Sequence, residues 1–214
     1  LEVAAIAAKK GLDVCVIERE NRLMSRVVCK EISDFYQQKH EKEGVKFILN
    51  CSVIDIEKKQ SCHVIKFQDN NLIKTEMIVV GIGIKPNIQL AVDAGIQCSN
   101  GIFVNKNCLT SDENIFAIGD CTIHPNSIYG DLRLESVHNA VEQAKTAASF
   151  IIGEPKPYEQ VPWFWSEQYN IRLQIVGIRD SYDESIMSGD PKNEKFSIFY
   201  LKNKSLIAVE AINN

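Results

Sequence analysis

Thr110-Ser-Asp-Glu-Asn-Ile-Phe-Ala-Ile-Gly-Asp-Cys121 is the stretch on which the reading of this chain turns. Thr110 to Asn114 is polar and turn-forming, and Ile115 to Ile118 is a short apolar run of the kind that makes a buried parallel strand. Gly119 lets another group approach the backbone closely, and Asp120 supplies a carboxylate. In open α/β sheets ligands sit beyond the carboxyl ends of the strands, where a carboxylate accepts hydrogen bonds from ligand hydroxyls. An ordinary strand ending in a Gly-Asp turn has the same spacing, so by itself the stretch leaves both readings open.

Upstream, residues 1–10 are Ala-rich and helix-forming, stopped by Gly11, and Asp13 to Glu18 reads as a buried strand ending in an acid. Helix, Gly, strand, acid is the second half of a βαβ dinucleotide-binding unit, although no GxGxxG is present. A carboxylate at Glu18 can hold both ribose hydroxyls of NAD and repel a 2′-phosphate; equally, strands end in Glu for solubility. Arg22 and Arg26 can meet a phosphate or stand in solvent. Residues 31–43 form an amphipathic helix closed by Gly44, followed by short strands and a hairpin around Asp69–Asn71. His40 and His63 read as surface or strand histidines. Met77 to Val80 reads as a buried strand running into Gly81-Ile82-Gly83, where a flat ligand ring can lie on the backbone or the chain simply turns between domains.

Downstream of Asp120 come a polar loop over residues 124–130 and a long helix from about Val137 to Ile152, capped by Glu135-Ser136 and ended by Gly153. Glu154-Pro-Lys-Pro-Tyr158 is a Pro-punctuated linker and the clearest boundary. Strand-like runs after it predict a small antiparallel domain, with Trp163, Phe164, Trp165 and Tyr169 as an aromatic cluster that can equally be core.

Composition excludes several classes. With 214 residues, 45% hydrophobic and 24% charged, the chain is that of a globular protein holding one large domain or two to three small ones. A net charge of −4 is opposite in sign to a nucleic-acid footprint, and no apolar run reaches the ~18 residues of a membrane span. Seven scattered cysteines, an odd count with no CxxC, fit reduced cytoplasmic thiols and no metal site. Both ends read as cut, so an internal fragment is expected.

The pieces Leu1-Glu-Val-Ala-Ala5, Val16-Ile-Glu18, Arg22-Leu-Met-Ser-Arg26, Gly81-Ile-Gly-Ile-Lys-Pro-Asn87, the opening stretch, Arg133-Leu-Glu-Ser-Val137 and Pro162-Trp-Phe-Trp-Ser166 occur in an informative order. Together they resemble the pyridine nucleotide–disulfide oxidoreductase superfamily, in its branch of FAD-dependent, NADH-linked ferredoxin and rubredoxin reductases of bacterial oxygenase systems. The resemblance implies an α/β fold: a Rossmann-like NAD domain over residues 1–82, part of an FAD domain over 83–153, and a small α+β C-terminal domain over 154–214. It implies FAD and NAD(H) as cofactors, and a [2Fe–2S] ferredoxin or a rubredoxin as partner, with an oxygenase downstream. Asp120 then binds the ribityl chain, Glu135, Ser136 and Val137 approach the flavin pyrimidine, and Trp165 packs near the isoalloxazine. Glu2 faces and aligns the nicotinamide, Glu18, Arg22 and Arg26 hold the adenosine part, and Gly81, Ile82 and Gly83 line the nicotinamide channel.

No residue is expected to act as acid or base, because hydride passes directly from nicotinamide to flavin. A helix N-terminus beside the pyrimidine is worth ~0.3–2 kcal/mol, which shifts a two-electron couple by up to about 40 mV. A disulfide or peroxide reductase of the same superfamily is the alternative, but residues 154–214 hold no His for the catalytic His–Glu pair of those branches. A signalling flavoprotein resembling apoptosis-inducing factor is a third reading.

Overall fold

Helix α1 (Glu2–Lys9) forms where Ala is densest and buries Ala4 and Ala5. In the computed structural model, which describes residues 1–214, the chain is mixed α/β and divides into two units. The first holds residues 1–82 together with 167–172, and the second residues 83–166 and 173–214.

In the first unit, strand β1 (Cys15–Ile17) pairs in parallel with β2 (Lys46–Ile48), and helix α2 (Lys30–Lys42) makes the crossover between them. The α2 stripe Ile32, Ser33, Tyr36 and His40 follows the helical repeat and is wholly buried. Removing Ile32 from water contributes about 1.5–3 kcal/mol. An antiparallel meander follows: β3 (Val53–Lys58), β4 (His63–Phe67) and β5 (Leu72–Thr75), with Ile65 and Phe67 of β4 facing inward. The Asp69 carboxylate turns its tip by accepting the Asn71 N–H at 3.0 Å.

In the second unit, α3 (Gln89–Asp93) leads to β6 (Ile102–Phe103), which pairs in parallel with β7 (Thr122–Asn126). Strand β8 (Gly130–Leu132) folds back on β7, and α4 (Val137–Ile151) follows. The remainder is a five-stranded sheet in the order β11-β12-β13-β10-β9, from β9 (Trp163–Gln168), β10 (Ile171–Gly177), β11 (Glu184–Asp190), β12 (Lys195–Lys202) and β13 (Ser205–Ile212). Alternation along β10 buries Ile171, Leu173 and Ile175, while Phe196, Ile198 and Tyr200 of β12 fill the same kind of core. Glu210 is fully buried and pairs with Arg179 Nε at 2.8 Å, so its charge has a partner.

Several local expectations are corrected. Met77 to Val80 is not a buried strand: the run is irregular, with Met77 76% and Val80 66% exposed and no strand beside it. Ile115 to Ile118 makes only an isolated bridge, Leu109 to Phe116, and both isoleucines are exposed. An apolar run becomes a strand only when a neighbour supplies continuous ladder bonds; Ile115 to Ile118 meets residues 108–110 only at this one bridge. Residues 124–130 are not a loop but the β7–β8 hairpin, whose turn Asn126 caps by accepting the Ile128 N–H at 2.9 Å. His40 is not a surface residue: it is fully buried, its Nε2 donates to Gln168 Oε1 at 2.8 Å, and its Nδ1 accepts the Tyr169 hydroxyl at 2.9 Å. Burial lowers the pKa of this imidazole.

Candidate flavin and nucleotide sites

Asp120 follows Gly119 directly, and the two are held from opposite sides. Gly119 adopts φ +85, is buried, and donates its N–H to Gln143 Oε1 of α4 at 2.7 Å. The Asp120 carbonyl accepts from Arg133 Nη1 at 3.2 Å, while the Asp120 side chain stands exposed. Arg133 also meets Glu135 Oε1 at 2.7 Å, and its side chain is only 17% exposed. Gly101 makes room for it: at φ +155, an added Cβ would lie 3.1 Å from Arg133 Cδ and 2.8 Å from Ile123 Cγ1.

Beyond Glu135, Ser136 caps α4 by accepting the Asn139 N–H at 3.1 Å. Asn139 is buried, donating to Leu134 O at 3.1 Å and accepting the Tyr158 hydroxyl at 3.0 Å. These bonds fix where the helix begins. His138, in its first turn, meets Trp163 edge-to-ring at 5.7 Å, and Trp163 lies 5.0 Å from Trp165. A hydrogen bond and an ion pair link Asp120 to Arg133 and Glu135, Ser136 follows Glu135 in the chain and caps α4, and His138 of that helix meets the Trp163–Trp165 pair. The flavin-side residues picked out in the sequence come together in one unit.

Their chemistry fits a flavin. An exposed carboxylate accepts hydroxyl protons, the free amides of the α4 N-terminus accept negative charge, and an indole 39% exposed offers a flat apolar face. Around them burial perturbs the titrating groups: the Cys108 thiol is pushed up to about 11, the Tyr158 phenol up to about 12, and His124 downward.

In the first unit, Glu18 lies one residue past β1, and its N–H donates to Ile48 O at 2.9 Å. Its Oε1 accepts the Glu20 N–H at 3.0 Å, which fixes the carboxylate while leaving its second oxygen to accept from a diol. Arg22 is used otherwise: Nη1 donates to Val28 O at 2.8 Å and Nη2 to Ser25 O at 2.7 Å, so its fork folds its own loop onto the start of α2. Arg26 is exposed, as is Glu2 in the first turn of α1. Gly81-Ile82-Gly83 is exposed irregular chain, with Ile82 89% exposed and Gly83 at φ +106.

Sequence reasoning assigned no role to Arg133, Asn139 or Gln143. The signal for the two amides lay in the helical repeat: positions 139, 143 and 147 fall on the buried stripe of α4, where polar residues need partners.

The model of the family described as Pyridine nucleotide-disulphide oxidoreductase matches residues 1–144, and that described as Reductase C-terminal matches residues 163–214. The 5,5'-dehydrodivanillate O-demethylase ferredoxin reductase subunit of Sphingobium sp. (strain NBRC 103272 / SYK-6) is 40% identical over 217 residues, covering 100% of this chain and 53% of that protein. The crystal structure of the ferredoxin reductase for the CYP199A2 system from Rhodopseudomonas palustris superposes with a TM-score of 0.93 at 37% identity, over 98% of this chain and 52% of that one. The covalent putidaredoxin reductase–putidaredoxin complex also gives 0.93, at 36% identity, over 100% of this chain and 52% of that one. The chain thus spans about half the length of the relatives it matches. With a family model covering most of its length, the chain belongs to the pyridine nucleotide-disulphide oxidoreductase family.

Proposed function

We propose that this chain forms part of an NADH-dependent FAD oxidoreductase that passes electrons to a [2Fe–2S] ferredoxin or a rubredoxin, which in turn serves an oxygenase. The observation that carries the reading is the grouping, within one unit, of Asp120 and Glu135 about Arg133 with the capped start of α4, whose His138 meets the Trp163–Trp165 pair. Likeness to ferredoxin reductases over the whole of this chain supports the same class.

FAD, when bound, accepts a hydride from the nicotinamide and releases its electrons singly, which is the conversion a one-electron carrier needs. The chain's own residues bind and orient. Asp120 accepts hydrogen bonds from the ribityl hydroxyls. Glu135, Ser136 and Val137 bring the α4 N-terminus to the pyrimidine, where its dipole favours the negative charge of the reduced ring. Trp165 covers an apolar face and excludes water. On the nucleotide side, Glu18 takes the adenosine ribose diol, with Arg26 near its phosphates. Arg22 acts through the loop it folds. Glu2 and the Gly81-Ile82-Gly83 segment serve the nicotinamide end.

The three-part division at residues 82 and 153 belongs to this proposal, as does a cytoplasmic location. No helix is long and apolar enough to cross a membrane, and all seven cysteines are unpaired, as reducing surroundings require.

Anaerobic titration of the full-length flavoprotein with each nucleotide tests the reading. NADH is expected to bleach the flavin band stoichiometrically, with NADPH at least about tenfold less effective because Glu18 repels a 2′-phosphate. A Glu18→Ala variant is expected to lose most of that preference. Bleaching by neither nucleotide overturns the proposal.

A further inference from the structure

Gln143 is fully buried in α4, and all of its polar atoms are engaged. Its Oε1 accepts the Gly119 N–H at 2.7 Å and faces the Thr122 hydroxyl at 3.0 Å. That hydroxyl also lies 2.9 Å from Gly119 O, so its single proton serves one acceptor at a time. Nε2 donates to His124 Nδ1 at 3.1 Å, and the main-chain carbonyl receives the Cys108 thiol at 3.6 Å. Because the Gly119 amide can only donate, Oε1 must face it and the amide orientation is settled. His124 Nδ1 must then be an unprotonated acceptor, with the ring proton on Nε2.

We propose that Gln143 is the positioning residue for Asp120: by gripping Gly119 from within α4, it sets the direction in which the neighbouring carboxylate leaves the turn before β7. This rests on the flavin reading of Asp120 given above. The geometry favours it over plain core packing. A residue that only filled space beneath the Gly119-Asp120 turn could be any side chain of this volume. Gln143 instead puts its oxygen on the Gly119 N–H, one peptide before Asp120, and beside the Thr122 hydroxyl two residues after it, while Arg133 holds the Asp120 carbonyl. The same helix begins at Val137 with Ser136 as its cap, so one element joins the Asp120 turn to the helix N-terminus.

Two substitutions in the full-length flavoprotein test this, with the FAD dissociation constant and the NADH KM as readouts. Gln143→Met keeps the volume and removes the acceptor; FAD affinity is expected to fall about tenfold or more, with the NADH KM within about twofold of the parent. Gln143→Glu keeps an acceptor for the Gly119 N–H, the contact on which the proposal rests, so its FAD affinity is expected to stay closer to that of the parent than that of Gln143→Met. Parent-like FAD affinity in Gln143→Met overturns the proposal. If Gln143→Met does not fold, an FAD affinity about tenfold or more below that of the parent in a Gln143→Glu variant of parent-like stability overturns it. A parent protein that contains no flavin would instead refute the flavin reading itself.

Discussion

Arg133 shows how much at this site hangs on single residues. Its guanidinium joins the Asp120 carbonyl to the Glu135 carboxylate, and it fits only because Gly101 carries no side chain. Gly101→Ala would set a Cβ 3.1 Å from Cys121 O in a backbone region that L-residues avoid. The expected result is a loss of about 1–3 kcal/mol, read from the denaturant midpoint, together with weaker FAD retention; a variant with parent stability and flavin content would contradict the packing described. The Gly119-Asp120 turn was legible in the sequence because it has a local pattern. Arg133 and Gln143 were not, because their meaning lies in bonds to residues far away in the chain. Arg22 misled for the opposite reason: a loop arginine near a ribose-binding acid looks like a phosphate ligand until its fork is seen on Val28 O and Ser25 O.

Among the elements, α4 was the most legible, since a cap, a 15-residue helix and a closing glycine all state themselves locally. Ser136→Ala is expected to cost about 0.5–2 kcal/mol, typical of a lost N-cap, again measured by denaturant titration. Short apolar runs were the least legible: Ile115–Ile118 has the composition of a strand but pairs with residues 108–110 at a single bridge. Helix α2 supplies a pH dependence. His40 on α2 and His124 on β7 are both held below the ordinary imidazole range by burial, so the unfolded chain binds protons that the folded chain refuses. Their contribution is complete above about pH 6.5 and is lost as pH falls through the lowered folded values. Urea midpoints are expected to drop between about pH 7.5 and pH 5.5, and to drop less in His40→Gln. A midpoint that rises on acidification would contradict the assigned burial.

At the scale of the whole molecule, the two units divide at Ile82/Gly83, within a Gly-rich, Pro-stopped segment. The grouping of residues 167–172 with the first unit was not visible, because it depends on His40 meeting the Gln168-Tyr169 turn. Ile118 and Val141 are exposed close in the chain to Asp120 and Val137, residues proposed to hold the flavin, in a chain that spans about half the length of its relatives. The 214-residue chain alone is accordingly expected to lose FAD on desalting, whereas stoichiometric flavin in the purified piece would contradict that.

The measurement that tests the central claim most directly is anaerobic electron transfer. The full-length flavoprotein, reduced with NADH, is mixed with an oxidised [2Fe–2S] ferredoxin or a rubredoxin, and both spectra are followed. Return of the flavin band in step with reduction of the carrier is the result predicted. A flavin that stays reduced in the presence of either carrier would contradict the account.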